Sequence, residues 1–147
     1  MDTSELRQPT TATTIQCHCG AVKMELAGDP VVCLYCHCDD CQAAHGGAYL
    51  PAAMYRTAQT RVVAGEPILW KRKTTARATC PACGTRIFAE PAGLGVRSIT
   101  ANLLPKGVFQ PAFHVQCQHA LLPVKDELPH FKDYPAMLGG SDDRVSW

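Results

Sequence analysis

Charge is scarce in this chain. Charged residues make up 18% of its 147 residues, below the ~25% of an ordinary globular protein. With 14 Lys and Arg against 13 Asp and Glu the formal net charge is +1, so no global field draws the chain to polyanions or membrane surfaces. Aromatic residues are 7%, and the basic middle of the chain offers Trp70 but no interleaved series of rings, which argues against a base-stacking surface for nucleic acid. Long apolar runs are missing too. The most apolar stretches, Val31 to Cys36 and Ala48 to Tyr55, fall far short of the ~20 residues of a membrane helix. Met1 to Gln16 is polar and Thr-rich, without the apolar centre of a secretory signal. The expectation is a cytoplasmic protein with no membrane and no nucleic-acid partner. Hydrophobic residues, at 46%, suffice for a core and exclude wholesale disorder.

Cysteine, by contrast, is plentiful. Nine thiols in a reducing compartment read as metal ligands or catalytic groups before disulfides, and an odd number cannot all pair within one chain. Seven fall into three clusters: Cys17-His18-Cys19-Gly20, Cys36-His37-Cys38-Asp39-Asp40-Cys41 and Cys80-Pro81-Ala82-Cys83-Gly84. Two ligands close in sequence reach one ion only through a tight turn, and a glycine after the second lets backbone N–H groups face the sulfurs. Gly20 and Gly84 supply that glycine in the first and third clusters, whereas Gln42 follows Cys41. This asymmetry groups Cys17, Cys19, Cys80 and Cys83 into a closed four-cysteine zinc site. Cys36, Cys38 and Cys41 are left as three ligands with an open position, the composition of a reactive zinc site. A closed alternative uses Cys33, three residues before Cys36, with His37 and His45 as other candidates for a fourth ligand. Cys33 sits in an apolar run (VVCLY), where a small hydrophobe is expected, and Cys117 shares the apolar phase of Phe113 and Val115. Three thiolates blunt zinc as a Lewis acid but suit it to hold a fourth, exogenous thiolate, so the metal set points to a thiol substrate.

Short strands dominate the periodicity. Ala21 to Leu26 and Phe113 to Cys117 alternate apolar and polar residues, and Thr60 to Val63 with Pro67 to Lys71 read as a hairpin around Gly65-Glu66. Ala76 to Thr79, Thr85 to Ala89 and Val96 to Ala101 are further strand candidates. Asp39 to His45, stopped by Gly46-Gly47, predicts one short helix. The expected class is all-β, organised as a flexible segment 1–15, a single domain 16–140 and a tail 141–147 that wraps the surface or frays.

The near-zero net charge hides a basic middle. Residues 56 to 106 carry nine bases against Glu66 and Glu90, and both flanks are acidic. Such a segment is either a solvated sheet face or a local site for a small carboxylate ligand. Glutathione, a thiol with two carboxylates, would suit both this segment and the open cysteine cluster.

On these residues the chain resembles the family of glutathione-dependent formaldehyde-activating enzymes and centromere protein V. C-H-C-G-A-V, C-H-C-D-D-C, C-P-A-C-G-T, P-A-F-H-V and D-E-L-P-H-F carry the likeness from about Gln16 to Gly140. The resemblance implies several coiled antiparallel sheets with a rubredoxin-like zinc site, as in Rab-exchange chaperones and methionine sulfoxide reductases of the B type. It implies two zinc ions per chain, a structural one on Cys17, Cys19, Cys80 and Cys83 and a catalytic one on Cys36, Cys38 and Cys41. It also implies a carbon–sulfur lyase that forms or cleaves S-hydroxymethylglutathione, with His37, His45, Tyr49 and Asp40 as candidate proton donors. Other readings are a non-catalytic module that binds a thiol, and a structural protein with two closed zinc sites. The long basic or Pro-rich N-terminal extension that would suit a chromatin or microtubule role is missing from this sequence.

Overall fold

The two most apolar stretches set the architecture. The computed structural model describes residues 12–147, and it places those stretches side by side as strands β3 (Val32–Cys36) and β4 (Leu50–Arg56). Both are apolar on both faces because both faces are covered, a pattern that alternation cannot reveal. Cys33, Ala53 and Tyr55 face a first core with Ile15, Met24, Leu26, Phe88 and Ile99. Leu34, Cys36, Leu50 and Ala52 face a second core with Phe113, Val115 and Phe131. Each fully buried side chain such as Met24 or Leu26 contributes about 1.5 to 3 kcal/mol.

The first core lies against a three-stranded antiparallel sheet, β1 (Ala12–Gln16), β2 (Lys23–Ala27) and β5 (Thr60–Ala64), in the order β1-β2-β5. The larger sheet adds β6 (Ile68–Arg72), β7 (Thr75–Thr79), β8 (Arg86–Glu90), β9 (Val96–Thr100) and β10 (Phe113–Val115), in the order β10-β3-β4-β9-β8-β7-β6. Every pair is antiparallel except β10 with β3, where His114 lies beside Tyr35 and Val115 beside Cys36. Among the described residues the single α-helix, α1 (Asp39–His45), ends at Gly46 in the left-handed conformation, as the sequence predicts. The class is thus mostly β, with two sheets and one short helix.

Three expectations need correction. The hairpin around Gly65-Glu66 does not form: β5 pairs with β2 in the small sheet and β6 with β7 in the large one. Gly65 serves the passage between sheets, since a Cβ there would lie 2.1 Å from the Ala21 carbonyl oxygen. Residues 12–15 of the segment read as flexible belong to β1, while residues 1–11 lie outside the described residues. The alternation from Phe113 to Cys117 also misleads. His114 is fully buried, and the strand stops at Val115 because Gln116 turns left-handed (φ 56°), leaving Cys117 in a 3-10 turn. The tail is bonded to the body through Val145 N–H to the His130 carbonyl at 2.9 Å, and the Trp147 ring packs against His37.

Candidate metal centres

The first and third cysteine clusters meet where the two sheets approach. Cys17 and Cys19 follow β1, and Cys80 and Cys83 follow β7. Each pair lies in a tight turn: Gly20 N–H donates to the Cys17 carbonyl at 3.0 Å, and Gly84 N–H to the Cys80 carbonyl at 2.9 Å. Gly20 and Gly84 take φ of 81° and 77°, which confirms why glycine stands at both places. The Sγ atoms of Cys17 and Cys19 are 3.6 Å apart and those of Cys19 and Cys80 3.7 Å. Four sulfurs at about 2.3 Å from a tetrahedral zinc would be about 3.8 Å from one another, close to these two distances, and all four sulfurs lie within 4.8 Å of one another. Val22 N–H points at the Cys17 sulfur from 3.3 Å.

Cys36, Cys38 and Cys41 form a second group, at the end of β3 and the start of α1. The Cys38 sulfur caps the helix by accepting from Cys41 N–H at 3.2 Å. Cys36 and Cys41 are buried, with Cys38 partly exposed at the rim. Hydrogen bonds from Cys36 and Cys41 hold the Cys38 thiol far below its ordinary value, and Arg77 adds to the fall. Cys36 is pushed up by Cys38 and Cys41 in turn. Three packed thiols that can deprotonate only one at a time are a donor set suited to a cation, which removes the conflict by taking all three as thiolates. Among the described residues no fourth His, Cys, Asp or Glu joins this group. Cys33 does not close it, because three positions along a strand put Cys33 on the face opposite Cys36, inside the first core. The reading with two closed sites through Cys33 is thereby corrected. Cys117 is core, as expected.

Two arginines were missed in the sequence. Arg77 of β7 and Arg86 of β8 are buried, and the Nε of each lacks a hydrogen-bond partner. Among the described residues no carboxylate lies in salt-bridge range of either. Burial lowers the Arg86 pKa, while the Cys41, Cys36 and Cys38 sulfurs act to raise it. Within the fold Arg86 Nη1 donates to the Thr100 hydroxyl at 2.9 Å, and Arg77 Nη1 donates to the Thr75 carbonyl at 3.5 Å with its guanidinium 5.6 Å from the centre of the Trp70 ring. The rest of the basic segment is partly paired: Arg61 with Glu25, Arg97 with Glu90, and Lys73 and Arg72 share Asp40 on α1 at 3.3 and 3.8 Å, so one cationic charge of that pair stays uncompensated.

Of the candidate proton donors, His37 is buried with its Nε2 2.8 Å from His114 Nδ1, and burial pulls its pKa down to about 4. His45 bonds the Tyr49 carbonyl at 2.8 Å, a role in the turn after α1. Tyr49 packs its ring on His37, with centroids 4.9 Å apart, and Asp40 is held by Lys73 and Arg72.

Fold and site together define a class: a small β protein with two cysteine clusters able to hold metal, one complete with four thiols and one left open with three. Residues 12–119 match the glutathione-dependent formaldehyde-activating enzyme family, and the chain belongs to that family. The chain is also similar to the crystal structure of a Rhodobacter sphaeroides protein, at 25% identity and a TM-score of 0.54, over 65% of this chain and 90% of that one. No curated protein matches the chain.

Proposed function

We propose that the protein forms or cleaves a thiol adduct of an aldehyde, as in the conversion of glutathione and formaldehyde to S-hydroxymethylglutathione. The carrying observation is the open group of Cys36, Cys38 and Cys41, with no fourth ligand among the described residues; the charges of the buried Arg77 and Arg86 add to it, Arg77 favouring the Cys38 thiolate and Arg86 interacting with the Cys41 sulfur. In this reading these three cysteines hold the reactive zinc, and Cys17, Cys19, Cys80 and Cys83 hold a structural one. Zinc at the open group would supply the positive charge that keeps an incoming thiol ionised at neutral pH. Arg77 and Arg86 stabilise the accumulated negative charge, so that a fourth thiolate can approach three already present. Arg72 and Lys73, held beside α1 by Asp40, are the cations placed to receive glutathione carboxylates. In the adduct step a carbon–sulfur bond forms, the carbonyl π bond breaks, and the thiol proton ends on the carbonyl oxygen. The reverse step releases aldehyde and thiol.

The test is a titration of reduced glutathione into the zinc-loaded protein, with adduct exchange followed by NMR. Saturable binding and exchange faster than the uncatalysed reaction support the proposal. Saturable binding without acceleration would replace it by a thiol-binding module, and no binding would sink both.

A further inference from the structure

Burial of His114 belongs to a group that the cysteine chemistry does not use. The segment that follows the 3-10 turn at Cys117 returns along β10, so that His130 lies beside His114 in a parallel bridge. His114 N–H donates to the Pro129 carbonyl at 2.9 Å, and Phe131 N–H to the His114 carbonyl at 2.9 Å. These bonds fix the two imidazoles side by side, with ring centroids 4.6 Å apart. Asp126 stands between them. Its Oδ2 is hydrogen-bonded to His114 Nε2 at 2.7 Å, a bond that an ion on that nitrogen would replace; its Oδ1 is 3.0 Å from His130 Nε2 and accepts from Leu128 N–H at 3.0 Å.

We propose that His114, Asp126 and His130 form a third cation site, for a first-row divalent transition ion held by two imidazole nitrogens and one carboxylate oxygen. One ligand atom from each residue lies within 4.8 Å of the others. The decisive detail is His130 Nε2. Although 3.0 Å from a carboxylate oxygen, this buried nitrogen makes no hydrogen bond, because its in-plane direction misses that oxygen. An orphaned buried nitrogen costs about 1 to 3 kcal/mol. An ion shared by both atoms removes that penalty: with ligands about 2.1 Å from the ion, the nitrogen lone pair should point well aside of the line joining nitrogen and oxygen. The outer arrangement suits a ligand as well. His114 Nδ1 is engaged by His37 Nε2 at 2.8 Å, the kind of second contact that sets the tautomer and orientation of a metal-bound histidine. His114 and His130 are buried whereas the Asp126 side chain is 32% exposed, so access lies on the carboxylate side. Two nitrogens and one oxygen select zinc, ferrous iron or cobalt over calcium and magnesium, which take oxygen, and over soft cuprous ion, which takes sulfur.

The test uses the full chain without an affinity tag, stripped of metal and reloaded with zinc. Native mass spectrometry should find three ions per chain in the wild type, and two in both His130→Gln and Asp126→Asn. Reloading with cobalt gives a second readout: the variants should lose only the weaker, higher-energy ligand-field bands of a nitrogen–oxygen site, and keep both the sulfur-to-cobalt charge-transfer bands and the strong ligand-field bands of the cysteine sites. Asp126→Asn, at the more exposed position, covers the case in which His130→Gln fails to fold. A wild-type chain that saturates at two ions, or variants that retain all three, would overturn the proposal and leave a metal-free His–Asp–His network.

Discussion

The two cysteine clusters differ in how the chain builds them. The four-cysteine group joins two turns 61 residues apart in sequence, one after a strand of each sheet, and each turn is closed by a left-handed glycine. The three-cysteine group comes from six consecutive residues that run off a strand into a helix cap, without glycine. A site that closes on itself staples distant parts of the fold. An open site drawn from one short segment leaves its last position to a ligand. The lesson is that chain geometry already distinguishes the two groups, one complete with four thiols and one open with three.

The sharpest way to break this comparison is to remove one thiol from each group. Cys80→Ser should lose the metal of the four-cysteine group and with it cooperative folding, since about 10 kcal/mol of apparent binding energy is at stake in a four-thiolate zinc site. Cys38→Ser, at the partly exposed rim, should lose only the second ion and all adduct chemistry, with a thermal midpoint within a few degrees of wild type. Metal analysis beside a thermal melt checks both. Next comes the charge behind the open group. Arg86→Met should lower adduct exchange about 10- to 100-fold without changing the metal of the four-cysteine group, read by the same NMR assay. Smaller effects probe the residue after each cluster. Gly84→Ala should cost about 1 to 2 kcal/mol through its positive φ. Gln42→Ala should cost about 1 to 2 kcal/mol by a different route, because its side-chain amide ties α1 to the His37 and His119 carbonyls at 2.8 and 2.9 Å. Denaturant melts read both changes. The smallest effect concerns the tail. Hydrogen bonds from Ser141 hold the Asp133 pKa below its ordinary 3.8, so this anchoring is complete above 3.8 and is lost as pH falls through the lower folded value. Trp147 fluorescence during acid titration should report the release, and Asp133→Asn should show the released signal at neutral pH.

Spacing carried much of this site into view. The grouping of Cys17 and Cys19 with Cys80 and Cys83 is visible because a tight turn has a local signature, glycine after the second cysteine. The span of α1 is visible for the same reason, with Gly46 as its stop. What spacing cannot show is which way a strand faces when both faces are covered. Cys33 therefore reads both as an apolar strand residue, which it is, and as an alternative ligand beside Cys36, although the two line different cores; His114 reads as polar in an alternating strand although it is buried. Arg77 and Arg86 were hidden within a basic segment whose other members are ordinary surface cations. The signal that was present is their position flanking Cys80 and Cys83, Arg77 beside the buried Ala78 on β7 and Arg86 beside the buried Ile87 and Phe88 on β8. The false hairpin at Gly65 had a tight-turn glycine too, and only its contact with Ala21 distinguishes a crossing between sheets from a turn within one.

Cadmium NMR on the metal-loaded protein, with and without glutathione, tests the central claim most directly, because the shift of each bound cadmium reports its sulfur count. The account predicts one resonance typical of four thiolates that does not move, and one typical of three that moves to the four-thiolate range as glutathione is added. Two resonances that both report four thiolates before any glutathione is present, or a three-thiolate resonance that ignores it, would contradict the account.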